Sequence, residues 1–234
     1  MKITFVYHTC FCAEDEHRSM IFDYWKGTLP VFDPDKPVYI FVSHAHADHF
    51  NPHISKLNEQ YSKVYYIFSE DIRPQLPKVF MSKDFNITWM KAEDEKQVGD
   101  MTVKAFFSTD EGVAYLIRTE DKTLMHFGDL NWWHWEGESD AFNQWQKKHF
   151  TAQIQKMSSE HINIAFGPAL DARQIPYHWI GIDYFIKHVH VDKVFPMHFF
   201  DEMGLVKRFL ASDKCASYRD KMMLIEKPGQ EFNV

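Results

Sequence analysis

The sequence predicts an α+β fold in which two β-sheets pack together and helices cover their outer faces. Three observations carry this expectation. The first half of the chain alternates short strand patterns with polar turns, the second half alternates strands with helical stretches, and no long polar linker separates them. At 234 residues one domain, residues 1–234, accommodates the whole chain. A hydrophobic content of 45% and an aromatic content of 16% are enough to build a packed core.

The elements follow from local pattern. Ile3 to His8, Cys10 to Ala13 and Ser19 to Asp23 read as a strand meander, with Glu14-Asp15-Glu16-His17 as a polar turn inside it. Val38 to Ser43 is nearly continuously apolar, the mark of a strand covered on both faces. Pro52 to Tyr61 reads as a short helix, Val64 to Ser69 as another buried strand and Ile87 to Met90 as a strand. Pro74 and Pro77 exclude a long helix between Glu70 and Asp84. Gly99-Asp100 and Glu120-Asp121-Lys122 each separate two strand patterns and predict hairpins. Asp140 to about His161 reads as one long helix, Ile162 to Phe166 as a strand, Ile180 to Val189 as a helix and Val194 to His198 as a strand end. Val206 to Ala211 and Ala216 to Met223 read as helical, and a short strand is expected near Leu224.

A formal net charge of -7 disfavours nucleic acid as a partner, because phosphate backbones call for a basic stripe. Three cysteines, Cys10, Cys12 and Cys215, give no disulfide framework and suit a reducing compartment. Cys10 and Cys12 share a strand face and read as small buried residues, with a metal role as the minor alternative. No charged leader precedes an apolar run, and no apolar run is long enough to span a bilayer, so a cytoplasmic chain without a membrane partner is expected. Neither a Gly-x-Ser-x-Gly elbow nor a Walker-type loop occurs.

The chemistry concentrates in His44-Ala45-His46-Ala47-Asp48-His49, directly after an apolar strand. His44 and His46 stand two apart in extended chain and project to one side. Ala45 and Ala47 keep the loop slim, and Asp48 and His49 come where the chain turns. Imidazole and carboxylate together suit Zn²⁺, and also Mn²⁺ or Fe²⁺.

This segment resembles the His-x-His-x-Asp-His mark of the metallo-β-lactamase-fold superfamily. The resemblance implies a four-layer αββα sandwich, two mixed β-sheets with helices on the outer faces, and a site for two divalent metal ions. It implies that Asp129, in Phe127-Gly128-Asp129-Leu130, bridges the ions, and that His198, in Pro196-Met197-His198-Phe199, is the last histidine ligand. One position departs from the pattern. Where the family usually places a histidine, this chain reads Ser108-Thr109-Asp110-Glu111-Gly112. Asp110 is the natural substitute and Glu111 the runner-up, while a plain turn residue at 110 stays open. Tyr7-His8-Thr9-Cys10-Phe11 and Met20-Ile21-Phe22-Asp23 resemble elements of the L-ascorbate-6-phosphate lactonase-like branch, with Tyr7 in place of that branch's glycine.

The resemblance implies a metallo-hydrolase that turns a metal-bridging hydroxide on a small ester-type substrate, a lactone or phosphorylated lactone first. A phosphodiesterase on a small cyclic or nucleotide substrate is the alternative. From another class come a di-iron redox protein and a non-catalytic metal-binding protein. His44, His46 and Asp110 would hold one ion and Asp48, His49 and His198 the other, with Asp129 between them. Asp48 is the candidate proton shuttle. The loop Leu130-Asn131-Trp132-Trp133-His134-Trp135 begins at Asp129, so His134 is a candidate proton donor and Trp132 a candidate pocket wall. The same indoles equally suit buried packing or a contact in a homo-oligomer. His8, Arg173 and His178 are candidate substrate contacts. Arg173 would either brace its loop through Asp171 or bind an anionic substrate group. The remaining histidines, among them His17, His53, His126, His149, His161, His188 and His190, carry no motif and read as surface or packing residues.

Overall fold

The computed structural model describes residues 1–234 and divides into two compact units, Met1–Lys91 with Lys227–Val234, and Ala92–Glu226. The first unit begins with β1 (Lys2–Tyr7), β2 (Cys10–Glu14), β3 (Ser19–Phe22), β4 (Val38–Val42), β5 (Val64–Ser69) and β6 (Asn86–Met90). The second contains β7 (Glu95–Val98), β8 (Met101–Phe107), β9 (Val113–Arg118), β10 (Thr123–His126), β11 (His161–Ala169) and β12 (His190–Met197), with helices α1 (Asp140–Lys156), α2 (Ile180–His188) and α3 (Gly204–Ala211). The last strand, β13 (Gln230–Asn233), returns to the first unit and pairs with β1.

Each unit is built on one mixed sheet. The first has strand order β13-β1-β2-β3-β4-β5-β6, antiparallel up to β3 and parallel from β3 to β6. The second has order β12-β11-β10-β9-β8-β7, with both expected hairpins present and β10, β11 and β12 parallel. Two mixed sheets with helices are the expected α+β class. All five residues of β4 are buried, as its unbroken apolar run requires. One face of the first sheet packs Cys10, Cys12, Ile21, Ile40 and Phe68 against Ile54, Leu57, Ile72 and Phe80. The thiols of Cys10 and Cys12 are free and buried, as small strand residues would be.

Several boundaries differ from expectation. The segments covering the first sheet are 3₁₀ turns, Pro52–Glu59, Glu70–Gln75 and Lys78–Met81; Pro74 and Pro77 lack the amide hydrogens that one helix running from Glu70 to Met81 would need. Helix α1 starts where Ser139 Oγ accepts the Phe142 amide, but it stops at Lys156, before Ser158 turns back on Gln155. Residues 216–223 form no α-helix; only a turn at Arg219–Lys221 is present. The stretch near Leu224 contributes a single bridge from Met222 to Val194 instead of a strand. No helix is long and apolar enough to cross a membrane.

Candidate metal centre

In both units most of the candidate residues sit just past the carboxyl ends of three adjacent parallel strands, where open sheets present their ligand-binding loops; His8 and Asp110 instead lie in the β1–β2 and β8–β9 turns of antiparallel pairs. In the first unit β3 delivers Asp23, β4 delivers His44 to His49, and Asp71 follows β5. In the second, β10 delivers Asp129, Asp171 follows β11, and β12 delivers His198.

The histidine cluster is braced from behind. Asp23 Oδ1 accepts the Ser43 amide at 2.7 Å, and Asp23 Oδ2 accepts the Ser43 hydroxyl at 2.6 Å. The same Oδ2 lies 2.7 Å from His49 Nδ1. A carboxylate at Nδ1 fixes the tautomer and turns Nε2 outward as a ligand atom. The Ala45 amide donates to Asp71 Oδ2 at 3.0 Å, so the turn between His44 and His46 is anchored as well. His44 Nε2 stands 3.0 Å from His46 Nδ1, and the His44 and His49 rings lie 4.0 Å apart between centroids. Burial and the adjoining His49 ring hold His44 well below the usual imidazole pKa. It is therefore a neutral donor, the form that ligates a metal.

His8 belongs to this cluster. It is buried, its Nε2 lies 3.4 Å from Asp48 Oδ2, and its ring stands edge-on to Trp25 and to His49. Single ligand atoms of His8, Asp48 and His49 lie within 4.8 Å of one another. Burial alone would raise the Asp48 pKa, but the hydrogen bond from His8 and the positive potential of His49 and His8 outweigh it and hold the carboxyl well below the usual range.

The second unit repeats the bracing. Asp171 is buried and its Oδ2 lies 2.8 Å from His198 Nδ1, while its Oδ1 accepts the Arg173 amide at 2.9 Å and the Gln174 amide at 3.1 Å. Burial opposes ionisation of Asp171, yet the His198 contact and the two amides prevail and lower its pKa. His198 Nε2 lies 3.5 Å from Asp129 Oδ1. Gly128, at φ 52, makes the left-handed turn that swings Asp129 off the end of β10.

Asp110 is exposed, and ligand oxygens of Asp110 and Asp129 lie within 4.8 Å of each other. Thr109 clasps the two loops together. Its hydroxyl donates to Asn131 O at 2.6 Å and accepts the Asn131 amide at 3.0 Å, and its carbonyl accepts from Gln146 Nε2 at 3.0 Å. Two like charges held this close favour a cation between them.

The tryptophan loop divides its roles. Trp133 donates its indole hydrogen to Asp129 O at 3.0 Å and stands edge-on to His198, with Trp135 stacked behind it. Trp132 packs instead on the helices, against Phe150 of α1 and Tyr184 of α2, with Lys147 Nζ 5.3 Å over its ring. His134 meets the Tyr177 ring edge-on. The Arg173 guanidinium pairs with Asp201 and lies over Phe200, so Asp171 takes this residue's amide and not, as one reading of the sequence had it, its side chain. His178 lines a cavity of about 260 Å³ together with Arg208, Ser212 and Lys214. Burial and Lys214 lower its pKa.

The donor set fits divalent cations. His8, Asp23 and His198 all have positive φ, at 57, 44 and 64°, although none is glycine. Such conformations cost about 1–3 kcal/mol each and persist where the surroundings impose them, commonly at functional sites. Asp23, Asp71, Asp171 and Trp133 are the participants that sequence reasoning did not select for the site. Asp23 ends an apolar strand, as Asp129 follows one, and that position was its signal.

The profile of the family described as beta-lactamase superfamily domain matches residues 2–142. The chain belongs to that family. A UPF0173 protein of Pyrococcus abyssi is 32% identical to this beta-lactamase superfamily chain over 140 residues, 55% of the chain and 60% of the relative. The matched part therefore spans about three fifths of that curated relative's length. A UPF0173 metal-dependent hydrolase of Desulforamulus reducens is 34% identical over 71 residues, 29% of this chain and 31% of the relative. Among solved structures, Igni18, a metallo hydrolase from the archaeon Ignicoccus hospitalis, shares the fold, with a TM-score of 0.71 at 14% identity over 100% of this chain and 98% of that one.

Proposed function

We propose that this superfamily member is a metal-dependent hydrolase acting on a small ester-type substrate. One observation carries the reading: in each unit a buried carboxylate holds a histidine by Nδ1, Asp23 on His49 and Asp171 on His198. This arrangement presents Nε2 as a ligand, as the outer-shell carboxylate of a metal-bound histidine does. The relative named a metal-dependent hydrolase supports the same reading.

The proposed ligands are His44, His46, Asp48, His49, Asp110, Asp129 and His198, serving two divalent ions in one domain of residues 1–234. Zinc is the first choice, because four of the seven donors are imidazoles, and manganese or iron is favoured by the extra carboxylate at 110. Bound ions of this kind supply acidified water and charge for a developing oxyanion. The chain's own residues do the rest. Asp48 is the proposed proton shuttle to the leaving group, passing a proton on without keeping it, and His8 holds that carboxylate ionised and oriented. Trp133 limits water around His198, and His134 serves as proton donor to the leaving group.

For the substrate, a lactone is proposed; Lys214 and Arg208, the latter paired with Glu202, line the cavity beside His178 and are the cations that a phosphorylated lactone would call on. A small phosphodiester is the second choice.

The experiment is a hydrolysis screen of lactones and phosphodiesters before and after chelation, with Zn²⁺ or Mn²⁺ added back. Chelation is expected to abolish turnover and metal to restore it. Full turnover by the metal-free protein would overturn the reading. Metal content of Asp110→Ala tests the substituted ligand, and loss of one ion is expected. Iron and a visible absorption band in the purified protein would favour the redox alternative.

A further inference from the structure

Strands β11 and β12 run parallel, with His161 in register with His190. In-register residues of neighbouring strands face the same way, and so do residues two apart on one strand. His161, Asn163, His190 and Asp192 must therefore share one face at the amino-terminal ends of these strands. The side chains obey this. The two imidazoles stack at 4.1 Å between centroids with their planes 7° apart. His161 Nε2 lies 2.9 Å and His190 Nε2 3.8 Å from the same oxygen, Asp192 Oδ1. Asn163 Nδ2 holds the other carboxylate oxygen at 3.0 Å.

We propose that His161, His190 and Asp192 form a second, separate site for a borderline transition-metal ion such as Zn²⁺ or Ni²⁺, with solvent completing its coordination. Their ligand atoms already lie within 4.8 Å of one another, so small side-chain rotations bring two nitrogens and one oxygen onto a common ion. Two imidazoles and a carboxylate suit zinc and nickel better than magnesium or calcium, which prefer all-oxygen shells. Asn163 orients the carboxylate as an outer-shell partner does. His190 and His198 bracket β12 at opposite ends, roughly 25 Å apart at ~3.3 Å per residue. The two centres therefore share no ligand. All three side chains are open to solvent, which makes the ion exchangeable and the site a responsive one.

The test is calorimetric titration of the metal-loaded protein with Ni²⁺, in parallel with thermal melts. The wild type is expected to take up one ion beyond its resident set, with a rise in Tm. His161→Ala and His190→Ala are expected to abolish that uptake and that rise, and Asn163→Ala to weaken uptake about tenfold. Hydrolysis by all three should match the wild type. His190→Gln, melted without added Ni²⁺, checks that the fold is intact. Undiminished uptake by His161→Ala or His190→Ala would overturn the proposal, and so would a wild type that takes up no further ion.

Discussion

Asp171 and His198 meet through a 2.8 Å contact between Oδ2 and Nδ1, although 27 residues of chain separate them. The contact joins the ends of two neighbouring parallel strands, β11 and β12, and fixes which histidine nitrogen faces outward.

Asp171→Asn is expected to weaken metal binding about 10- to 100-fold, the usual effect of losing an outer-shell carboxylate, while the fold survives. Asp23→Asn should do the same through His49. Chelator competition measures both. Metal affinity equal to the wild type in both variants would mean that these carboxylates only fill buried space.

Acid should destabilise the metal-free protein partly through Asp171. Its folded pKa lies below the ordinary value of about 3.9. Folded protein therefore binds fewer protons there than unfolded protein does. The stability it contributes is complete above that ordinary value and drains away as pH falls through the folded pKa. Melts of the chelated protein between neutral and acidic pH should show Tm falling at the acid end. The fall should be shallower in Asp171→Asn.

Thr109→Val removes a hydroxyl that bonds both the Asn131 amide and the Asn131 carbonyl. Leaving buried backbone groups unsatisfied costs about 1–3 kcal/mol. Urea denaturation should read that loss. Metal analysis should show looser binding, because the clasp holds the Asp110 loop to the Asp129 loop.

Gly167→Ala should be among the most damaging single changes. A Cβ there would stand 2.8 Å from Phe127 Cβ and 2.9 Å from Met197 Cε, at a φ of +100°. Overpacking costs typically about 1–3 kcal/mol, and the backbone strain adds to it. Phe127 and Met197 lie just before Asp129 and His198, so the displaced neighbours carry two proposed ligands. A melt depressed together with metal affinity is the expected pair of results.

The elements most legible in the sequence were those with strong local signals. Val38 to Val42 carried the mark of a two-sided buried strand, and Gly99-Asp100 between two strand patterns signalled a tight turn. The six-residue histidine segment announced its chemistry because several donors are contiguous. Asp23 and Asp171 were not legible, because each acts on a histidine 26 or 27 residues away and only strand order brings the partners together. Trp132 and Trp133 are adjacent and chemically identical. Which of them faces His198 and which faces α1 and α2 depends on the path of an irregular loop, which carries no periodicity. The helix expected over residues 216–223 failed for a related reason. Its composition tolerates a helix, but Met222 lies in a bridge opposite Val194 and the Met223 amide donates to Val194 O, which draws the backbone out straight.

Strand β13 lies along β1, matching Asn233 to Lys2 and Gln230 to Phe5. Ile3, Phe5 and Val6 in β1 are almost wholly buried, whereas β13 is short, carries Glu231 and alternates between half-buried and exposed. The sheet thus ends on a strand poorly suited to recruiting another. A chain shortened before Gln230 would leave the backbone amides and carbonyls of β1 unpaired along an edge between buried apolar residues, and such edges template the stacking of one molecule on the next. The four residues of β13 then act as a guard against aggregation, and their removal should show first as insolubility on expression.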